Sequence, residues 1–170
     1  MFQLGLNSES RSTSYKKYDI HEGIIFLIEL SDGMFQELEE LNSEIQIIEI
    51  LNTLLKLMSQ LVVTRPGTGI GCYFYNCFKE EANENGIYEY LPLVDINAKN
   101  MKQLSDLLED LANERTTLQE FLPFKSNKRT ALENVLEMVK EEFTKETPGQ
   151  KNFNNKKVFL FTDNDSPPES

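Results

Sequence analysis

The sequence predicts a doubly wound α/β fold whose mixed, mostly parallel sheet has helices on both faces. Two near-continuous apolar runs, residues 23–30 and 157–162, are typical of parallel strands that are covered on both sides. The segments between them carry apolar residues at helical spacing. With 170 residues, 39% hydrophobic and 26% charged, the chain is expected to form one domain with a packed core.

A long helix is predicted after the first strand. Apolar residues recur every three or four positions from Leu38 to Val62, which makes one stripe along a helix. Ser43 and Gln46 match a capping box, so the helix either runs unbroken or restarts beside that box. The Arg-Pro-Gly turn at residues 65–67 ends it.

A hairpin is predicted next. Residues 70–77 and 87–93 are rich in aromatic and β-branched side chains and show no helical stripe. The polar turn at 80–86 is too short for a helical crossover, so the two strands should be antiparallel neighbours at one side of the sheet.

Two more helical stripes, over residues 101–111 and 132–143, precede the final strand. A final buried-type strand would leave its outer side unpaired, which natural sheets avoid. We therefore expect a sheet truncated after its fourth strand, in a fragment of a longer chain or one whose end a partner covers. The Ser- and Asn-rich residues 1–18 are predicted to be a disordered polar tail, which leaves an α/β domain at 19–165 and a second tail at 166–170.

The charge of the chain argues against nucleic acid as a direct ligand. Seventeen basic and 28 acidic side chains give a net charge of -11, and such a surface repels phosphate. No apolar run approaches the roughly 20 residues that span a bilayer, and the polar start lacks the apolar core of a signal peptide. We expect an intracellular protein that does not enter membranes and binds DNA poorly on its own.

Cysteine and histidine usage predicts no zinc site and no catalytic triad. Cys72 and Cys77 lie five apart in one predicted strand, so they should point to opposite faces and stay reduced. His21 is the only histidine, whereas a zinc site needs about four ligands. His21 is expected to face solvent or cap an element.

The predicted fold class would also permit a nucleotide-binding enzyme. The glycines within residues 65–71 superficially suggest a phosphate loop, but they leave a helix and enter a strand, which is the wrong order. We interpret them as a turn with tight packing. Basic residues cluster at 125–129 and 151–157 without interleaved aromatic residues, which predicts glancing phosphate contact at most.

Polar residues follow the first and last buried strands. Glu29, Ser31 and Gly33 come at the end of the first, and Asp163 follows the last. Open α/β sheets place their ligands at the carboxyl ends of strands, and oxygen-bearing side chains there could hold Mg²⁺. This arrangement resembles the von Willebrand A fold, whose metal site uses Asp-x-Ser-x-Ser after the first strand.

The resemblance to that motif is degraded. Glu29 stands where the first Asp belongs, Ser31 matches the first Ser and Gly33 replaces the second. Asp163 matches the last carboxylate, and Thr130 is a candidate for the threonine. Because Mg²⁺ demands near-ideal octahedral geometry, we expect no metal and no cofactor here, and a role in caps and turns. The alternative is a metal-dependent adhesion-type A domain that binds a protein ligand through a divalent cation.

A series of short phrases gives a more specific resemblance, over roughly residues 15 to 165. Together they resemble the amino-terminal von Willebrand A-type domain of the smaller subunit of the Ku heterodimer, in its fungal form. In order, the phrases are DIHEGI at 19–24, MSQLV at 58–62, TRPGT at 64–68, GCYFY at 71–75, LLEDL at 107–111, PGQK at 148–151 and VFLFTD at 158–163.

The resemblance implies a DNA-end-binding heterodimer with the larger Ku subunit, acting in the nucleus. It implies roles in double-strand break repair by non-homologous end joining and in telomere maintenance. In that family a β-barrel region, absent from this chain, encircles DNA, while the A-type domain lies at the periphery and recruits repair and telomere proteins. The acidic charge of this chain agrees with a protein-binding role.

Two enzyme labels accompany the resemblance. For an ATP-dependent helicase the chain has no phosphate loop, so we expect no enzyme activity of that kind. A lyase at abasic sites would use an amino-terminal lysine as a Schiff-base nucleophile, and Lys17, with Lys16 beside it, falls at that position. A Schiff-base lysine needs a lowered pKa, for which a lysine in a polar tail has little cause.

Overall fold

The computed structural model describes residues 2–7, 21–38, 44–124, 130–145 and 153–163. A single 3₁₀ turn, Gly33–Phe35, follows the second strand. In chain order the elements are β1 (Phe2–Asn7), β2 (Glu22–Glu29), β3 (Glu37–Leu38), β4 (Glu44–Ile45), α1 (Gln46–Thr64), β5 (Gly69–Tyr75), β6 (Tyr88–Asp95), α2 (Ala98–Ala112), α3 (Leu118–Phe121), α4 (Leu132–Thr144) and β7 (Asn155–Phe161).

The main sheet has five strands in the order β1-β7-β2-β5-β6. Strand β2 is parallel to both β5 and β7, while β6 runs antiparallel to β5 as the hairpin prediction required. Strands β3 and β4 form a separate two-stranded ribbon. The predicted mixed α/β sheet is confirmed.

Strand β1 pairs with the outer side of β7. The sequence had predicted that these first residues belong to a disordered tail. Phe2, Leu4 and Leu6 alternate with smaller or polar residues, a period-two pattern typical of a strand. The antiparallel register sets Phe2 opposite Leu160 and Leu4 opposite Val158, both buried residues of β7. The last strand therefore does not end the sheet, and the prediction of a tail fails at Phe2–Asn7, whereas residues 8–18 lie outside the described residues.

Helices α1 and α2 cover one face of the sheet. Helix α1 begins at Gln46 rather than at Leu38, because the β3–β4 ribbon takes up part of the predicted stripe. Its Leu51, Leu54 and Met58 pack against the sheet in one hydrophobic cluster with Leu104 of α2. By length and composition α1 alone among the described helices could cross a membrane, and 22% of it is buried. Its buried residues, Ile47, Leu51, Leu54 and Met58, form one stripe along the helix.

Helix α4 covers the opposite face, so helices on both faces are confirmed. Its Val135, Val139 and Phe143 lie in a second cluster with Ile25 and Leu27 of β2. The short helix α3 was not predicted. It begins with a capping box, in which Thr117 and Glu120 each satisfy the other's backbone N–H.

The two cysteines are free, but they do not lie on opposite faces of one strand. Strand β5 ends at Tyr75, and Asn76 then adopts a left-handed conformation with φ of 64°. The turn places Cys77 in the same hydrophobic cluster as Cys72. The opposite-face prediction was wrong because it extended the strand through this turn.

Candidate functional site at the carboxyl end of the sheet

The parallel strands β2, β5 and β7 end side by side, which brings polar residues from distant parts of the sequence together. Ser31 follows β2 and Asp163 follows β7. Ser31 Oγ donates a hydrogen bond to Asp163 Oδ1 at 2.7 Å. The same Ser31 oxygen accepts a longer bond, 3.4 Å, from the Met34 backbone N–H. Two residues of the degraded motif are therefore in direct contact with each other.

Gly33 lies directly against the carboxylate of Asp163. A methyl group added at Gly33 would overlap Asp163 Oδ2 and lie 3.1 Å from Asp163 Cγ. The second serine of the A-type motif would need the same space. The glycine is required here for close approach of a side chain rather than for an unusual backbone angle.

Glu29 is directed toward its neighbour on β5. The residue is 1% exposed, and the register pairs it with Tyr75. Tyr75 Oη donates a hydrogen bond to Glu29 Oε2 at 3.0 Å. A buried carboxylate needs such a donor, and the hydroxyl of Tyr75 supplies one.

Thr130 belongs to a network centred on Asn76. Its backbone N–H donates to Asn76 Oδ1 at 2.6 Å, and its hydroxyl donates to the Asn85 carbonyl at 2.6 Å. Asn76 Nδ2 in turn donates to the Leu30 carbonyl at 3.2 Å. Asn76 thus ties the end of β2 to the start of the α4 segment. Its signal in the sequence was weak: an asparagine just after a strand, where a left-handed residue is tolerated.

These contacts do not fit a Mg²⁺ site. The Glu29 carboxylate is bonded to Tyr75, the Asp163 carboxylate to Ser31 and the Thr130 hydroxyl to Asn85, while Gly33 offers no side-chain oxygen. An octahedral cation would have to break several of these bonds at once. Within the described ranges there is also no group of three or more His, Cys, Asp or Glu residues placed to hold a metal.

At the opposite, amino end of the sheet, a buried carboxylate is surrounded by donors. The Glu22 side chain is 6% exposed and pairs with Arg65 at 3.4 Å and Lys157 at 3.3 Å. Asn155 Nδ2 adds a hydrogen bond of 3.2 Å. Sequence reasoning missed this cluster because its members are far apart along the chain.

His21 lies at this amino end and is largely covered. Its Nε2 is 3.0 Å from Asp95 Oδ1, and its ring packs against that of Phe153 with 4.3 Å between centroids and 31° between the ring planes. Phe153 also fills the space above Gly23 and Gly69, where an added methyl group would lie 2.8 Å and 2.5 Å from its ring. Of the two alternatives expected for His21, the solvent-facing one was therefore wrong.

The remaining candidates offer no reactive group among the residues that the structure describes. Gly67 has φ of +90°, which fits the predicted turn, and the tight packing is at Gly69 and Gly71, where an added methyl group would lie within 3 Å of a neighbouring ring. Burial raises the pKa of the Cys72 thiol, which makes it an inert core residue rather than a nucleophile. Lys16, Lys17 and the basic residues at 125–129 lie outside the described residues.

Comparisons with known proteins agree on one family. Residues 23–170 match the family described as the Ku70/Ku80 N-terminal alpha/beta domain. The "ATP-dependent DNA helicase II subunit 1" of Saccharomyces cerevisiae is 52% identical over 168 residues, 97% of this chain and 28% of the relative. The protein of the same name from Kluyveromyces lactis is 44% identical over 96% of this chain and 28% of its own length. The "ATP-dependent DNA helicase ku70" of Dictyostelium discoideum is 28% identical over 95% of this chain and 18% of its own length.

Proposed function

Because the chain belongs to the Ku70/Ku80 N-terminal alpha/beta domain family, we propose that it is a non-enzymatic protein-interaction domain of a DNA-end-binding Ku heterodimer. In this proposal the heterodimer acts in double-strand break repair by non-homologous end joining and in telomere maintenance. The chain spans under a third of the length of its fungal relatives. In this proposal DNA is encircled by parts of the heterodimer that lie outside this chain.

One observation carries the proposal: the end of the sheet where α/β folds place ligands has its polar groups bonded to one another. Ser31 is bonded to Asp163, Glu29 to Tyr75 and Thr130 to Asn85. An enzyme or cation-dependent receptor would present such groups to a ligand. The net charge of -11 adds that DNA is a poor direct ligand, so proteins are the favoured partners.

The partners in this proposal are the larger Ku subunit, DNA ends through the complete heterodimer, and repair and telomere proteins. The proposed location is the nucleus, including chromosome ends, and no membrane is involved. The fungal relatives carry a helicase label in their names, whereas this chain contains no phosphate loop. A Schiff-base role for Lys17 is an alternative to this non-enzymatic proposal, tested by borohydride trapping on an abasic duplex. Trapping that is unchanged in a Lys16→Ala/Lys17→Ala variant would remove that alternative.

The experiment is an end-binding comparison at moderate salt. This chain alone is compared with the same region inside a full-length subunit co-expressed with the larger Ku subunit, on linear and on closed circular duplex. We expect only the heterodimer to bind, and only to the linear duplex. Binding of linear duplex by the chain alone, or failure of the full-length subunit to associate with its partner, would contradict the proposal.

The metal-dependent adhesion reading has one observation in its favour, the contact between Ser31 and Asp163. It is tested separately by calorimetric titration of the chain with Mg²⁺ and Mn²⁺. Heat of binding that disappears in Asp163→Ala would support that reading, and its absence would end it.

A further inference from the structure

The contact of Asp163 with Ser31 and Gly33 has a geometry that a surface hydrogen bond alone does not require. One carboxylate oxygen of Asp163, Oδ1, accepts the Ser31 hydroxyl at 2.7 Å. The other, Oδ2, occupies the volume in which any side chain at residue 33 would begin. Both oxygens are therefore placed by β2's exit segment, although Asp163 itself is exposed.

We propose that Ser31, Gly33 and Asp163 form an internal latch that closes the carboxyl end of the sheet to divalent cations. In this latch the carboxylate of Asp163 binds the Ser31 hydroxyl. That hydroxyl is therefore not available to a cation or to an acidic group of a partner. Gly33 is the residue that admits the carboxylate, because any Cβ there would displace it. The inference does not depend on a role in DNA repair.

The latch joins the ends of two neighbouring parallel strands. Ser31 and Asp163 are 132 positions apart in sequence, and β2 and β7 are paired over seven residues just before them. The latch therefore fixes where the chain leaves β7 relative to β2. A partner that binds this end of the sheet must either leave the latch closed or supply groups that replace both of its bonds.

Residue 33 allows the latch to be opened without disrupting the core. An added methyl group would push only the far end of an exposed aspartate, which can rotate away into solvent. Gly33→Ala is therefore a mild way of separating Asp163 from Ser31. Asp32→Ala is the matched control, because Asp32 is an exposed neighbouring carboxylate whose side chain makes no capping hydrogen bond.

The test is a set of double-mutant cycles measured by urea unfolding of this chain. Ser31→Ala and Asp163→Ala should each raise the unfolding equilibrium constant roughly three- to fivefold, as expected when one partly exposed hydrogen bond is lost. Gly33→Ala should be more destabilising in the unmodified chain than in an Asp163→Ala background, where only the ordinary effect of replacing glycine remains. If the residues act as one unit, Ser31→Ala has a smaller effect in the Asp163→Ala background, where it removes only the bond from the Met34 N–H. Asp32→Ala should leave the constant unchanged.

Two results would overturn the latch. The first is multiplicative behaviour, in which the effects of Ser31→Ala and Asp163→Ala combine as independent changes. The second is cation binding: Mn²⁺ titrated into the unmodified chain at millimolar concentration should release no heat, and a saturable heat would mean that the end of the sheet is open to cations. Both results, multiplicative effects on the unfolding equilibrium constant and binding of Mn²⁺, are measured without any DNA-binding assay.

Discussion

The two ends of the sheet are closed by different chemistry. At the carboxyl end the contacts are hydrogen bonds among hydroxyl, amide and carboxylate groups around Asn76, Ser31 and Asp163, together with the bond from Tyr75 to the buried carboxylate of Glu29. At the amino end a buried carboxylate, Glu22, is enclosed by two cations, and an aromatic ring, Phe153, fills the space above two glycines.

The difference indicates how the domain divides its stability. Burial of a large aromatic ring contributes more free energy than a hydrogen bond between small polar groups, and removing one member of a buried charge cluster leaves the others without a partner. The amino end should therefore hold the fold together, while the carboxyl end can change at modest cost. The carboxyl end of the sheet, where α/β folds bind ligands, is thus the less stabilising end. A fold built in this way can lose a ligand there and keep its structure.

The largest expected effect is at Phe153. Phe153→Ala should lower the free energy of unfolding by about 3 to 5 kcal/mol, since it empties the space above Gly23 and Gly69 and removes the ring that packs against His21. Urea unfolding followed by circular dichroism measures it. Gly69→Ala should be clearly destabilising in the unmodified chain and nearly neutral in the Phe153→Ala background. A similar cost of Gly69→Ala in both backgrounds would break the packing account.

Removal of the buried carboxylate comes next. Glu22→Ala should cost about 2 to 3 kcal/mol, because Lys157 and Asn155 lose their partner in a largely buried site, although Arg65 is 63% exposed and adds little. Thermal and urea unfolding at two salt concentrations measure it. The exposed pair of Lys102 and Asp106 is the control, and Asp106→Ala should change nothing measurable. If the two variants behaved alike, the amino end would not be the stabilising one.

At the carboxyl end, Asn76→Ala should cost about 2 kcal/mol. The change removes the bonds to the Leu30 carbonyl and the Thr130 N–H and forces alanine into a left-handed conformation. Asn76→Gly keeps that conformation accessible, so its smaller cost isolates the side-chain bonds. A cost for Asn76→Ala above that of Phe153→Ala would reverse the ranking of the two ends.

The smallest expected effect is a pH dependence of the free energy of unfolding, and it comes from Tyr73. Burial raises the pKa of Tyr73, and the neighbouring carboxylates of Glu142 and Glu89 raise it further. In the unfolded chain this tyrosine ionises near pH 10, whereas in the folded chain its raised pKa means that it ionises only at higher pH. Its contribution is therefore complete below pH 10 and falls as pH rises above it, by about 1.4 kcal/mol per pH unit.

The measurement is the stability of the unmodified chain and of Tyr73→Phe between pH 8 and 11. Above pH 10 the unmodified chain should lose stability more steeply than Tyr73→Phe. The slope of Asn76→Ala in the same pH range should parallel that of the unmodified chain. Equal slopes for the unmodified chain and Tyr73→Phe would contradict the assignment.

Patterns within one element were predictable from the sequence, and contacts between elements mostly were not. The apolar runs of β2 and β7 and the stripes of α2 and α4 identified the fold class, because burial dictates their spacing. The rule that ligand sites follow parallel strands also directed attention to Ser31 and Asp163 before the structure showed them in contact.

The failures have local physical reasons. The alternation in β1 spans six residues within a polar stretch, so composition outweighed it. The left-handed Asn76 ended β5 sooner than its apolar neighbours indicated, which misplaced Cys77. The cluster at Glu22 needs partners that are 43 and 135 residues away, and no periodic pattern encodes such pairs.

The position of β1 has a consequence for the order of folding. Strand β7 lies between β1 and β2, so residues at the start of the chain cannot pair until residues 155–161 exist. At ribosomal speed the first strand waits on the order of ten seconds for its partner. A sheet with such distant pairings also has a high contact order, and it should fold slowly and only after nearly all of these residues have emerged.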